Sequence, residues 1–265
     1  MVREFTLPGA GLHAPKLRVH GFGACMIAGT PHSFEESFFY KFLEQLSQDI
    51  GLGIESRVVS LGGFPTYKAV AHVNRALAKN PEYVVLQLGS TDSAVSLKRH
   101  FGLMLNQTPR FGTDVQSQSK FALNASGPFK QSKARKFVEF SKDYLCRILS
   151  VTPVHGGVEV YLPAIRQVVE KISEAGARPI LLAPFPHGDR VSNRWAWRFT
   201  NLLAELAKNE DVIFVDTFNG LSDIPQAELL YSDRLHLTPI GHERIARLLI
   251  DSVADQIKVY AKKAA

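Results

Sequence analysis

Few side chains in this chain carry strong intrinsic chemistry. There are two cysteines, Cys25 and Cys146, and nine histidines. Cys25 lies in Gly21-Phe22-Gly23-Ala24-Cys25-Met26-Ile27-Ala28-Gly29, a stretch rich in small residues. A thiol next to an imidazole can be held as the thiolate, a stronger nucleophile than a hydroxyl. Asp233 and His236 stand three residues apart in Ser232-Asp233-Arg234-Leu235-His236-Leu237-Thr238-Pro239-Ile240-Gly241-His242. A carboxylate paired with an imidazole fixes its tautomer and stabilises its protonated form. Two more segments combine glycine with polar residues: Ser60-Leu61-Gly62-Gly63-Phe64-Pro65 and Leu88-Gly89-Ser90-Thr91-Asp92. Each feature also has a plain structural reading. A cysteine after a buried strand is most often a small packed hydrophobe, the Asp233 and His236 pair can cap a helix, and paired glycines can simply make a tight turn. His20, His32, His155 and His187 show no ligand spacing, and His242 reads as structural, so neither metal nor cofactor is expected.

The elements that would position these residues are legible in the hydrophobic pattern. Five short apolar runs occur at Leu17–Gly23, Ser56–Leu61, Tyr83–Gly89, Arg178–Ala183 and Val212–Asp216. Rich in Val, Ile and Leu, they suit strands covered on both faces, as in a parallel sheet. Helical spacing fills the intervals. Phe38, Phe39, Phe42, Leu43 and Leu46 form one stripe, preceded by a Ser33/Glu36 capping box. Further helices are expected over Pro65–Ala78, Val158–Ala175, Ser192–Lys208 and from Pro239 to about Val259. Strand and helix alternate, which predicts an α/β, doubly wound, flavodoxin-like parallel sheet of five strands with helices on both faces. In such sheets ligands bind beyond the carboxyl ends of the strands, and that is where Cys25, Gly62, Gly63 and Thr91 fall.

Taken together, these four segments resemble the SGNH or GDSL-type hydrolase family. Its members carry a Gly-Asp-Ser nucleophile segment after the first strand, an oxyanion glycine after the second, Gly-x-Asn-Asp after the third and Asp-x-x-His near the C-terminus. This chain departs from the pattern with Gly23-Ala24-Cys25 in the first block and Gly89-Ser90-Thr91-Asp92 in the third. The resemblance implies a catalytic set of Cys25, His236 and Asp233. It also implies an oxyanion hole from the amides of Cys25 and of Gly62 or Gly63, with the Thr91 hydroxyl in place of the asparagine amide. Ala24, Met26, Asp92, Arg190 and Trp195 are the expected substrate-binding residues. The implied activity is ester hydrolysis or acyl transfer through a Cys25 thioester. The alternative is a catalytically silent module of the same fold that recognises a glycan or an acidic partner. A Cys25 thiol within reach of the His236 imidazole favours the first, and one turned into the core favours the second.

Composition sets the outer limits. A length of 265 residues with 45% hydrophobic and 21% charged residues suits one globular domain spanning 1–265. No run approaches the ~18 apolar residues that a membrane span requires, the segment before Pro15 lacks a signal-like apolar core, and two cysteines are too few for a disulfide framework. A cytoplasmic setting follows as the expectation. The net charge of +6 is concentrated: Lys98–Ser150 holds ten Lys/Arg and three Asp/Glu, a net of +7. This basic stretch belongs to a long insertion after the third strand, 98–157, read either as a solvated, partly mobile arm or as a lid that draws an anionic substrate or acyl donor to the cleft. Its second half is expected to be helical, with Phe137, Phe140, Tyr144, Ile148 and Leu149 on one face. Its aromatics, Phe101, Phe111, Phe121 and Phe129 among them, are expected to dock it on the core, and Cys146 to lie on its apolar side. The segment matches no nucleic-acid module, so the expected partner is a small or carbohydrate ester, with oligomeric state open.

Overall fold

A computed structural model describes residues 1–9, 16–95, 133–210 and 212–264. The five expected strands are present as β2 Lys16–Gly23, β3 Gly53–Ser60, β4 Tyr83–Gln87, β5 Arg178–Leu182 and β6 Ile213–Val215. They pair in parallel in the order β3-β2-β4-β5-β6, the doubly wound arrangement. The sheet nevertheless has six strands rather than five. Val2–Leu7 forms β1, which runs antiparallel along β3 with Val2 opposite Val59 and Leu7 opposite Ile54. Only Phe5 and Leu7 of β1 are even half-buried, so its signal is a two-residue alternation rather than an apolar run. Phe5 packs edge-on against Phe34 at 5.0 Å, covering the start of the first helix.

The continuous apolar character of the parallel strands has a direct cause. Side chains alternate between two faces, and both faces are covered. Tyr83 and Val85 of β4 join one core with α1 (Phe38–Ile50) and the C-terminal helix, whereas Val84 and Leu86 join the other. α1 begins at Ser37, whose hydroxyl accepts the Tyr40 N–H at 3.1 Å. The Ser33/Glu36 capping box is present one turn earlier, on the 3-10 turn Phe34–Glu36. The helix expected over 65–78 is broken into α2 (Thr66–Ala69) and α3 (Asn74–Leu77) by a 3-10 turn at Val70–His72.

Of the 98–157 insertion, residues 98–132, including Phe101, Phe111, Phe121 and Phe129, lie outside the described residues. The expected helix in its second half is α4, Lys133–Ile148. After it come α5 (Val158–Glu174) and α6 (Arg190–Asn209). The short helices α7 (Thr217–Gly220) and α8 (Gln226–Leu229) lead to α9 (Pro239–Ala264). The orientation of α4 corrects the sequence expectation. Phe137, Phe140, Tyr144, Ile148 and Leu149 face outward, while Glu139, Asp143 and Cys146 are buried. Cys146 thus lies on the inward side, beside the two carboxylates and away from the aromatic stripe, and packs there in a small apolar cluster with Val151 and Val191. Ion pairs line the seam, so the aromatic side is not what docks this helix: Glu139 meets Arg234 at 2.7 Å, Asp143 meets Arg194 at 3.0 Å, and Lys142 lies 3.5 Å from Asp189.

Candidate active site

The candidate site forms where the strands end. β2 closes at Gly23, and a Cβ there would be driven into the Gln87 carbonyl of the adjacent β4. Glycine at that position lets the next residues turn sharply. The Ala24 N–H donates to the Gln87 carbonyl at 3.0 Å, and the Ser60 hydroxyl donates to the Ala24 carbonyl at 3.1 Å. Cys25 then opens a 3-10 turn, Cys25–Ala28, with its side chain half-buried. Ala24 and Met26, expected near substrate, are buried and act as packing around this turn.

The second contribution comes from the loop before α9. The Asp233 carboxylate folds back on its own segment and accepts the backbone N–H groups of Leu235 and His236, both at 3.0 Å. Its other oxygen lies 2.6 Å from His236 Nδ1, and His236 Nε2 lies 3.4 Å from Cys25 Sγ. Residues separated by more than 200 positions thereby form one thiol–imidazole–carboxylate line.

Electrostatics follow from this arrangement. Burial of His236 disfavours its charge, but the hydrogen bonds to Asp233 and Cys25 outweigh that and raise it to about 10. Burial likewise works against the Asp233 charge, yet the His236 contact and the two backbone amides hold it below the usual carboxylate range. The imidazole is therefore disposed to carry a proton facing the sulfur.

Gly62, after β3, adopts a left-handed φ of +62°, which glycine takes without strain. The amides of Cys25, Gly62 and Gly63 make no hydrogen bond to another described residue. Thr91 is half-buried in the loop after β4. Asp92 takes a role other than the one expected of it. It is buried and accepts the Thr66 N–H at 3.0 Å and the Thr66 hydroxyl at 2.7 Å, tying the loop after β4 to the start of α2. Burial raises its carboxyl, and the Thr66 bonds partly offset this. The same loop is stitched to the end of β5 by Ser93 and the buried His187, 2.8 Å apart, and by the Phe185 N–H donating to the Ser90 hydroxyl at 3.1 Å. Of the other two expected binding residues, Arg190 is exposed with its guanidinium 5.8 Å from the Phe140 ring. Trp195 is half-buried among Phe199, Val191 and Cys146, so its ring is occupied by packing.

Two supporting contacts have no sequence signal of their own. Arg234, between Asp233 and His236, holds a left-handed φ of +64° and pairs with Glu139 of α4, 95 positions away. His242, buried in α9, accepts the Phe38 N–H through Nδ1 at 3.2 Å; burial keeps it neutral, at about 3. Among the described residues no group of three or more His, Cys, Asp or Glu converges as a metal site.

Comparison with known proteins agrees with the fold. Residues 22–244 match the model of the GDSL-like Lipase/Acylhydrolase family. A catalytic variant of Axe2, an acetylxylan esterase from Geobacillus stearothermophilus, superposes with a TM-score of 0.59 at 17% identity, covering 89% of this chain and 93% of that one. A putative lipolytic protein of the G-D-S-L family from Desulfitobacterium hafniense DCB-2 gives 0.55 at 16% identity, covering 89% and 99%. TesA gives 0.56 at 13%, covering 89% and 98%. No curated protein sequence matches this chain. At these identities the structural likenesses speak for the fold, while the family match spans most of the sequence, blocks and all. The chain belongs to the GDSL-like lipase/acylhydrolase family, a family of ester-bond hydrolases.

Proposed function

We propose that this hydrolase acts through a thioester on Cys25. The observation that carries the reading is the 3.4 Å approach of Cys25 Sγ to His236 Nε2, with His236 Nδ1 on Asp233 at 2.6 Å. The Cys25 thiolate attacks the ester carbonyl. Negative charge gathers on the carbonyl oxygen, held by the N–H groups of Cys25 and of Gly62 or Gly63 and by the Thr91 hydroxyl. The tetrahedral intermediate collapses, and the leaving alkoxide takes the proton from the His236 imidazolium. This leaves an acylated Cys25 and a neutral ring.

The sulfur is then no longer charged, so the ring loses the Cys25 contribution that held its proton and becomes a base. It removes a proton from water, which attacks the thioester; the thiolate departs, the acid is released and the ring regains its proton. An acceptor alcohol in place of water gives acyl transfer by the same steps. Small acyl esters, including carbohydrate acetates of the kind that Axe2's name denotes, are the substrate class proposed here. A free thiol nucleophile suits a reducing compartment such as the cytoplasm.

The test is paired labelling and turnover. Iodoacetamide should modify Cys25 faster than the buried Cys146 by at least tenfold in the native state, and p-nitrophenyl acetate should leave an acetyl adduct on Cys25. Cys25→Ala should reduce ester turnover to background. Equal, slow labelling of Cys25 in native and denatured protein, or full turnover by Cys25→Ala, would remove the thiol from the mechanism and leave the fold as a binding module.

A further inference from the structure

α4 is amphipathic in the reverse of the usual sense. Helices of globular proteins turn an apolar stripe to the core and a charged stripe to water. Here Glu139, Asp143 and Cys146, spaced four and three apart, face inward, and both carboxylates are taken up in ion pairs. On the other side Phe137, Phe140, Tyr144 and Ile148 are 57 to 72% exposed, with Val138, Leu145 and Leu149 beside them. Exposed apolar surface of this extent, along a helix of about 24 Å, marks an interaction site rather than a solvated face.

The charge of that side says what the surface fits. Glu139 and Asp143 are the only carboxylates between Lys133 and Ser150. Both point inward, so the outward side carries none. Its charges are cationic: Arg147, whose guanidinium reaches back to Asp143 at 3.0 Å while its side chain stays 63% exposed, and Arg190 of α6, whose guanidinium lies 5.8 Å from the Phe140 ring. A second copy presenting the same face would bring cation against cation, which disfavours a self-complementary dimer. A bilayer bearing anionic lipids offers both components at once, acyl chains for the aromatic and aliphatic side chains and headgroups for the guanidiniums. No described helix is long and apolar enough to cross a membrane, so this contact is interfacial.

We propose that the outward face of α4 is a docking surface for an anionic phospholipid bilayer. The helix is also tied to the candidate site, since Glu139 grips Arg234 in the Asp233–His236 turn. A membrane-bound chain would therefore hold that turn close to the lipid surface. The docking does not depend on the chemistry at Cys25, because binding is read without turnover.

The test is co-sedimentation with vesicles of phosphatidylcholine alone and of phosphatidylcholine with about one-third phosphatidylglycerol. The parent should bind the anionic vesicles at least tenfold more strongly than the neutral ones, and the difference should shrink as salt is raised. The combined variant Phe137→Ser, Phe140→Ser, Ile148→Ser should lose that binding at least tenfold while turning over a soluble ester at the parent's rate. Three results overturn the proposal: no binding of the parent to the anionic vesicles, binding that survives the triple variant, or a parent dimer that the variant dissociates with no vesicle binding in either form. A partner protein with an acidic, apolar helix would give the first of these.

Discussion

At the scale of single residues, the proposed chemistry rests on a proton held between two groups. His236 is raised from 6.5 to about 10 despite its burial, because Asp233 and Cys25 both favour the charged ring. The sign of the consequence is fixed. A histidine with a raised folded-state value stabilises the fold in full below its unfolded value near 6.5, and that contribution disappears as pH rises through about 10. Urea unfolding should therefore show the parent losing more stability than His236→Ala between about pH 7 and about pH 10.5; parallel losses would dismiss the charged-pair account. Cys25, Asp233 and His236 were all legible in the sequence as types and spacings. That the 211-residue gap between thiol and imidazole closes to 3.4 Å was not. Asp92 illustrates the opposite limit. Its place in the third block suggested substrate contact, but its burial made a pairing with Thr66 the lower-energy use of its oxygens.

At the scale of elements, α4 and the Asp233–His236 turn form one unit. Arg234 sits at a left-handed φ, which a non-glycine residue holds only when surrounding contacts impose it. The Glu139 carboxylate at 2.7 Å is one such contact. Glu139→Gln removes one charge of a buried pair, and the expected loss is about 3 kcal/mol, measured by urea denaturation. The variant should also lower kcat more than it changes KM, since the turn that carries His236 loosens without altering the cleft wall. Loss of stability with an unchanged kcat would make α4 a scaffold only. Periodicity located this helix correctly but implied the wrong orientation. An apolar stripe normally marks the buried side, and here three charged groups from distant segments, Asp189, Arg194 and Arg234, decided which side faces in by pairing with Lys142, Asp143 and Glu139. The broken helix over 66–77 has a related lesson: its apolar spacing suited a single helix, whereas the packed segment takes two short turns around a 3-10 step.

At the scale of the whole molecule, the parallel sheet ends on an antiparallel strand. β1 covers the edge of β3 from Ile54 to Val59 and shields Phe34 through Phe5. An uncovered β3 would present a row of unpaired backbone groups, the usual template for association between chains. Deleting residues 1–9 should therefore lower Tm by several degrees and produce concentration-dependent association in light scattering. A deleted chain that stays monomeric with an unchanged Tm would show that β1 is dispensable. The expected sheet lacked this strand because a one-sided edge strand buries only alternate residues, and its six-residue pattern is weaker than the apolar runs of strands buried on both faces.

The sequence by itself determined the architecture and the inventory. Continuous apolar runs, helical stripes between them and glycine-rich ends specify a doubly wound sheet, because burial on two faces leaves no room for polar alternation. Four blocks in chain order specify the family. Tertiary structure decided what those residues do to one another: that Cys25 meets His236, that Asp92 serves Thr66, that Trp195 packs, and that α4 turns its charges inward. The decisive partners are distant, from 26 positions apart for Asp92 and Thr66 to 211 for Cys25 and His236, and such pairs leave no period in a linear chain.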